Sequence, residues 1–167
     1  TETKEALDRI HYMDEHDDMT GLFNRKYFDA RMAAYEGSRM LPISLIICDI
    51  NGIRLINDAF GHEAGDRLII ETAKVLQRSC GHSTVLARTG GDEFAAILPG
   101  KDAQAAMEQI EGIRNEIDTF NLSCERDEER ISLAIGSAAK ENPAQTLEDV
   151  EKEAAEALRR SKLFEQK

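Results

Sequence analysis

The chain has 167 residues, 41% hydrophobic and 32% charged, a composition that suits one soluble globular domain with a sizeable core rather than a disordered segment. With 21 basic and 32 acidic residues the net charge is -11, which disfavours non-specific attraction to nucleic acid or an anionic membrane surface. The three cysteines, Cys48, Cys80 and Cys124, show no CxxC spacing, so they suggest reduced thiols in a cytoplasmic compartment rather than a disulfide framework or a zinc site. No apolar run approaches the roughly 18 residues of a membrane span, and no signal-peptide pattern opens the chain.

The first predicted element is a helix from about Glu2 to His16, with Ala6, Ile10 and Met13 at i, i+4 and i+7 among charged residues. That stripe is too thin to bury against a core. It reads as the stub of a connecting helix or short coiled coil over residues 1–16, as expected of a segment of a longer protein, with the domain proper over 17–167. Asp17 to Arg25 breaks the periodicity, and Asn24 is placed to cap a helix over about Arg25 to Glu36 that turns Tyr27, Phe28, Met32 and Tyr35 inward.

Leu41 to Ile50 is an almost continuously apolar strand, the pattern of a central strand covered on both faces. It closes on Asp49, a carboxylate placed to face a cleft at the strand exit. A short helix over about Gly52 to Phe60 and a longer one reaching about Cys80 follow, the latter with Ile69, Ala73 and Leu76 on one face. His62 to Asp66 superficially resembles the zinc motif HExxH, but its fifth residue is Asp and a glycine lies inside it, so zinc catalysis is not indicated. Asn57 and Asp66 together offer an amide and a carboxylate, the groups that can read the donor and acceptor edge of a guanine.

Thr84 to Arg88 and Phe94 to Leu98 flank Gly90-Gly91-Asp92-Glu93, which predicts a β-hairpin with two acids at its tip. The glycines allow positive φ and close approach of a bulky ligand, while Asp92 and Glu93 suit a hard divalent cation and hence a phosphate-bearing substrate. Asp102 then caps a helix to about Phe120 with Ala106, Ile110, Ile113 and Ile117 as its core stripe. Cys124 to Arg130 reads as a charged loop or a hairpin, Ile131 to Ala138 as a strand, and Thr146 to about Phe164 as a capped helix ending among Arg159, Arg160 and Lys162. These elements predict an α+β fold, a mixed, mainly antiparallel central sheet flanked by helices in a ferredoxin-like plan, with Asp49 and the hairpin tip meeting to form a metal site.

Four ordered segments carry a family resemblance: Asp17 to Arg25, Asp49-Ile50-Asn51 with Asn57-Asp58, Phe60 to Asp66, and Arg88 to Phe94, with Ala157 to Lys162 a looser fifth. In this order the chain resembles the GGDEF domain, or diguanylate cyclase, family. The resemblance implies a palm-like nucleotide cyclase that condenses two GTP molecules into cyclic di-GMP and releases two pyrophosphates. It further implies an antiparallel homodimer in which each copy supplies half of the site, and an N-terminal sensory or regulatory domain, with no nucleic-acid or membrane contact by this segment. By position, Asp49, the Ile50 carbonyl and Asp92 would hold two Mg²⁺ ions per half-site, Mn²⁺ being an alternative. Asn57, His62 and Asp66 would hold guanine, Gly90 and Gly91 would admit the phosphates, and Lys162 would contact the terminal phosphates. Arg54 stands where the family has a phosphate-binding lysine, and Glu93 is a candidate base or supporting residue beside Asp92.

The chain departs from the family pattern at four places. Asn51 stands where a second Asp is usual and Gly52 where an aromatic residue or His is common, and Gln166 replaces a phosphate-binding Arg. The product-inhibition pattern Arg-x-x-Asp falls on Gly81-His82-Ser83-Thr84, which lacks both charged residues, so tight inhibition through that site is not expected. The alternative implied by these departures is a weakly active or inactive domain that binds GTP or a protein partner. Asp66, where base-relaxed members carry Ser, favours guanine over adenine.

Overall fold

A computed structural model describes residues 2–81 and 84–165. Among the described residues six α-helices and four strands follow in order: α1 (Glu2–Glu15), α2 (Arg25–Glu36), β1 (Ile43–Ile50), α3 (Ile53–Phe60), α4 (His62–Ser79), β2 (Val85–Arg88), β3 (Glu93–Pro99), α5 (Ala103–Leu122), β4 (Leu133–Lys140) and α6 (Leu147–Glu165). The strands lie in the order β2-β3-β1-β4. Two β-helix-β units interlock to give this order, β1 crossing through α3 and α4 to β2, and β3 crossing through α5 to β4. Each strand is antiparallel to its neighbours. Among the described residues the parallel component of the predicted mixed sheet is a single bridge from Phe23, ahead of α2, to Ala87 of β2.

Strand β1 is apolar except at Ser44 and Asp49 because both of its faces are covered. Ile46, Cys48 and Ile50 join a core cluster with Leu68, Leu76, Ile113 and Ile117 from α4 and α5. Ile43, Leu45 and Ile47 join a second cluster on the other face, with Phe28 and Met32 from α2 and Leu147, Val150 and Leu158 from α6. The period of two along β1 therefore separates two hydrophobic layers rather than a core from solvent. On β4, a Cβ at Gly136 would stand 2.3 Å from the Ala154 carbonyl oxygen and the Leu158 nitrogen, so only glycine lets α6 lie this close to the sheet.

Caps set the helix starts as the sequence predicts. Asn24 Oδ1 accepts from the Tyr27 amide at 2.9 Å, Asp102 Oδ1 from Ala105 at 2.8 Å, and Thr146 Oγ1 from Asp149 at 3.1 Å. The stripe of α1 is exposed, with Ile10 and Met13 about three-fifths accessible, and only the end of that helix is tied down. There the Asn24 amide donates to the Glu15 carbonyl at 2.8 Å, and the rings of Tyr12, His16, Phe23 and Tyr27 stack in succession.

The segment Cys124 to Arg130 contains a 3₁₀ turn at Asp127–Glu129 and no hairpin. The Asn121 side chain donates to the Ile131 carbonyl at 2.9 Å and accepts from its amide at 2.8 Å, so the segment is the charged loop read from the sequence, closed by a side chain, and not the alternative hairpin. His82, Ser83 and Gln166, which bear on the inhibition pattern and on a phosphate contact, lie outside the described residues. Among the described residues no helix is long and apolar enough to cross a membrane.

Candidate active site

The C-terminal end of β1 is held from both sides. Asp49 lies opposite Glu93 of β3 and Ala134 of β4. The Ile50 amide donates to the Asp92 carbonyl at 3.0 Å, and the Asn51 amide to the Ser132 carbonyl at 2.8 Å. These bonds bring the hairpin tip against Asp49, 43 positions earlier in the chain than Asp92. From α6, one turn beyond the buried Leu158, Lys162 Nζ reaches Asp49 Oδ2 in an ion pair. The other oxygen, Asp49 Oδ1, is buried without a hydrogen-bond partner.

Burial first, and then the neighbouring Asp49 carboxylate, push the Asp92 carboxyl above its ordinary value, against the opposing pull of Lys162. Ile50, Gly52, Arg54, Asp92, Ser132 and Lys162 line a cleft of about 630 Å³ beside this pair. Asn51 extends its amide across the cleft rim to Ser132 Oγ at 3.0 Å.

Among the described residues no cluster of three or more His, Cys, Asp or Glu side chains is set for a metal. Two adjacent carboxylates, one with an unpartnered buried oxygen, still form a hard-oxygen donor set that fits Mg²⁺. Mg²⁺ keeps much of its shell for water and substrate phosphate, so a partial protein shell is the form its sites take.

Gly90 and Gly91 form the turn between β2 and β3, yet neither adopts positive φ, contrary to the reading of the paired glycines. A Cβ at Gly90 would come 3.3 Å from Glu93 Cβ, while the space over Gly91 is open. Their role is therefore room above the backbone rather than a left-handed turn. Arg88 fixes the turn by donating from Nε and Nη2 to the Gly91 carbonyl at 3.1 and 2.7 Å, while its Nη1 pairs with Asp17 at 3.2 Å. Bonds from Thr20 and Arg88 outweigh burial and hold Asp17 below the usual carboxylate range.

Asn57, His62 and Asp66 form a second group on α3 and α4. Asn57 Oδ1 is buried without a partner over Gly65, where a Cβ would stand 1.8 Å from it. His62 and Asp66 are exposed in the first turns of α4. The structure thus gathers Asp49, Ile50, Arg54, Asp92 and Lys162 at one cleft and sets the guanine candidates beside it in sequence on α3–α4. Glu93 does not line that cleft. Its carboxylate accepts from Thr89 Oγ1 at 2.8 Å and borders a smaller cavity with Arg25 and Ala155.

Residues 14–167 match the family described as "Diguanylate cyclase, GGDEF domain". The chain belongs to this family. It is 32% identical over 125 residues to the "Probable diguanylate cyclase DgcC" of Escherichia coli, covering 73% of this chain and 34% of that protein. It is likewise 32% identical over 136 residues to the diguanylate cyclase VdcA of Vibrio cholerae, covering 80% of this chain and 39% of that one. This GGDEF domain therefore spans little more than a third of the length of these relatives. Among solved structures, the coiled coil and GGDEF domain of DgcB from Caulobacter crescentus, in complex with c-di-GMP, superposes with a TM-score of 0.87 at 30% identity, covering 98% of this chain and 88% of that one.

Sequence reasoning missed three residues that shape the GGDEF site. Asp17 and Arg88 both fall in the recognised motifs, but their pairing across 71 positions leaves no local signal. Ser132 sits in the cleft wall inside a stretch that reads as ordinary strand.

Proposed function

We propose that this domain condenses two GTP molecules into cyclic di-GMP, as one half of a two-fold dimer and as the output module of a longer signalling protein. The observation that carries this reading is the Asp49–Asp92 pair, with its unpartnered buried oxygen, at the head of a cleft that also holds Arg54 and Lys162. Asp49, Asp92 and the Ile50 carbonyl would hold two Mg²⁺ ions, with Mn²⁺ able to substitute. Bound there, the metal neutralises phosphate charge and lowers the barrier to attack by a hydroxyl.

The 3′-hydroxyl oxygen of one nucleotide bonds to the α-phosphorus of the other, the bond from that phosphorus to the α,β-bridging oxygen breaks, and pyrophosphate leaves with the electron pair. Asp92, which lines the cleft, accepts the hydroxyl proton, and Glu93 supports the turn through Thr89. Arg54 and Lys162 hold the β- and γ-phosphates, and the open face over Gly91 admits them. Asn57 and Asp66 read guanine, with His62 at its edge. Because the attacking hydroxyl and the attacked phosphorus belong to different nucleotides, a single copy of the cleft cannot complete the ring, and the homodimer is part of the site. The exposed stripe of α1 is where a preceding domain would bring two copies together.

A second reading, a domain that binds GTP without turnover, is favoured by Asn51 and Gly52 at the cleft rim. Incubating a dimeric sample with GTP and Mg²⁺ and resolving the products by chromatography tests the two together. Cyclic di-GMP that disappears in Asp92→Asn supports the cyclase, and tight GTP binding with no product selects the alternative.

A further inference from the structure

Lys162 holds Asp49 through one oxygen, in the place a cation would take, while the other oxygen stands buried and unpartnered. We propose that Lys162 is an internal stand-in for the divalent cation at Asp49, and that it passes to a polyphosphate when the cation arrives. On that account the cleft takes the cation–triphosphate complex and disfavours the free cation. The inference rests on the metal and phosphate reading given above and adds the order in which charges exchange.

Two carboxylates and one ammonium meet at this point, and the like-charged carboxylates of Asp49 and Asp92 repel one another. A dication on the free Oδ1 removes that repulsion, but it would sit beside the ammonium held by Oδ2 of the same carboxylate and repel it. Lys162 has to leave. It is able to, because its side chain is 37% exposed while Asp49 is 19% exposed, so the flexible stem has solvent on one side.

Once displaced, the ammonium needs another anion. Among the cleft-lining residues the remaining charged groups are Asp92, which the same cation claims, and Arg54, which repels it. A triphosphate entering the cleft supplies the missing acceptors, and a free dication does not. The ion pair therefore opposes cation binding without nucleotide and ceases to oppose it with nucleotide, which is positive coupling between the two ligands.

The test is Mn²⁺ binding followed by electron paramagnetic resonance, first without nucleotide and then with a non-hydrolysable GTP analogue. Lys162→Met should bind Mn²⁺ about tenfold more tightly than wild type in the absence of nucleotide. Lys162→Arg should bind it as weakly as wild type, and Asp49→Asn in the Lys162→Met background should abolish the gain. With the analogue present, wild type should tighten more than Lys162→Met does. Lys162→Gln provides the same comparison if the Met variant melts early. Equal or weaker Mn²⁺ binding by both neutral variants, with binding still lost in Asp49→Asn, would overturn the exchange while leaving the metal site in place. A gain that survives Asp49→Asn would place the cation elsewhere and overturn the metal reading itself.

Discussion

Replacing Gly136 by Ala probes the link between the sheet and the helix that carries Lys162. The added Cβ would stand 2.3 Å from both the Ala154 carbonyl oxygen and the Leu158 nitrogen, and 2.8 Å from Leu158 Cα. These are backbone atoms of α6, so no side chain can swing aside, and the helix must withdraw by about 1 Å to reach ordinary contact. Overpacking of this kind costs about 1–3 kcal/mol, offset by roughly 0.5–1 kcal/mol for replacing glycine within a strand. For a domain of this size the net loss lowers Tm by about 2–8 °C. Because Lys162 lies one turn beyond Leu158, the same withdrawal draws its ammonium back from the cleft where it is proposed to hold the phosphates, and weakens nucleotide binding alongside stability. Circular-dichroism melts and GTP titrations of Gly136→Ala against wild type measure both effects. An alanine variant that melts at or above the wild-type temperature would refute the close-packing argument.

Other substitutions separate stability from function. Asp92→Asn should raise Tm near pH 7 while removing turnover: burial and Asp49 raise the folded-state pKa, so the destabilisation by ionised Asp92 grows as pH rises from the unfolded value through the folded one. The stabilisation of the Asn variant should fade below about pH 4, and an equal Tm advantage at acid and neutral pH would contradict its origin. Arg88→Met leaves the Gly91 carbonyl without the guanidinium and Asp17 with Thr20 alone, and should cost about 2 kcal/mol in urea unfolding at neutral pH. Asp17 has a lowered folded pKa, so its contribution is present above the unfolded value of 3.8 and is lost as pH falls through the folded one; the gap between variant and wild type should narrow in acid. Gly65→Ala gains helix propensity and meets only the end of the Asn57 side chain, so melts should show an unchanged or higher Tm while GTP affinity falls about tenfold.

Most of the fold was legible because its elements agree locally and globally. The almost continuous apolar run of β1 signals cover on two faces, and Asn24, Asp102 and Thr146 mark helix starts through chemistry confined to three or four residues. The approach of Asp49 to Asp92 was legible because both sit at strand ends that the predicted topology brings together. Where the decisive partner is distant in sequence, the reading fails. Arg88 reaches back to Asp17 across 71 positions, and Lys162 reaches Asp49 from across 113. The turn glycines were misread for another reason: open space and positive φ both select glycine, and sequence does not distinguish them.

The cleft at Asp49 and Asp92 is proposed to build a cyclic dinucleotide from GTP when two copies meet. The most direct measurement fuses the domain to a stable parallel coiled coil through α1, confirms a dimer by light scattering, and follows GTP consumption with Mg²⁺ by chromatography and mass spectrometry. The account predicts cyclic di-GMP and two pyrophosphates per product molecule from the dimer, and none from Asp49→Asn or Asp92→Asn. A dimeric, folded sample that binds GTP and yields no cyclic di-GMP, or one whose product persists in Asp92→Asn, would contradict it.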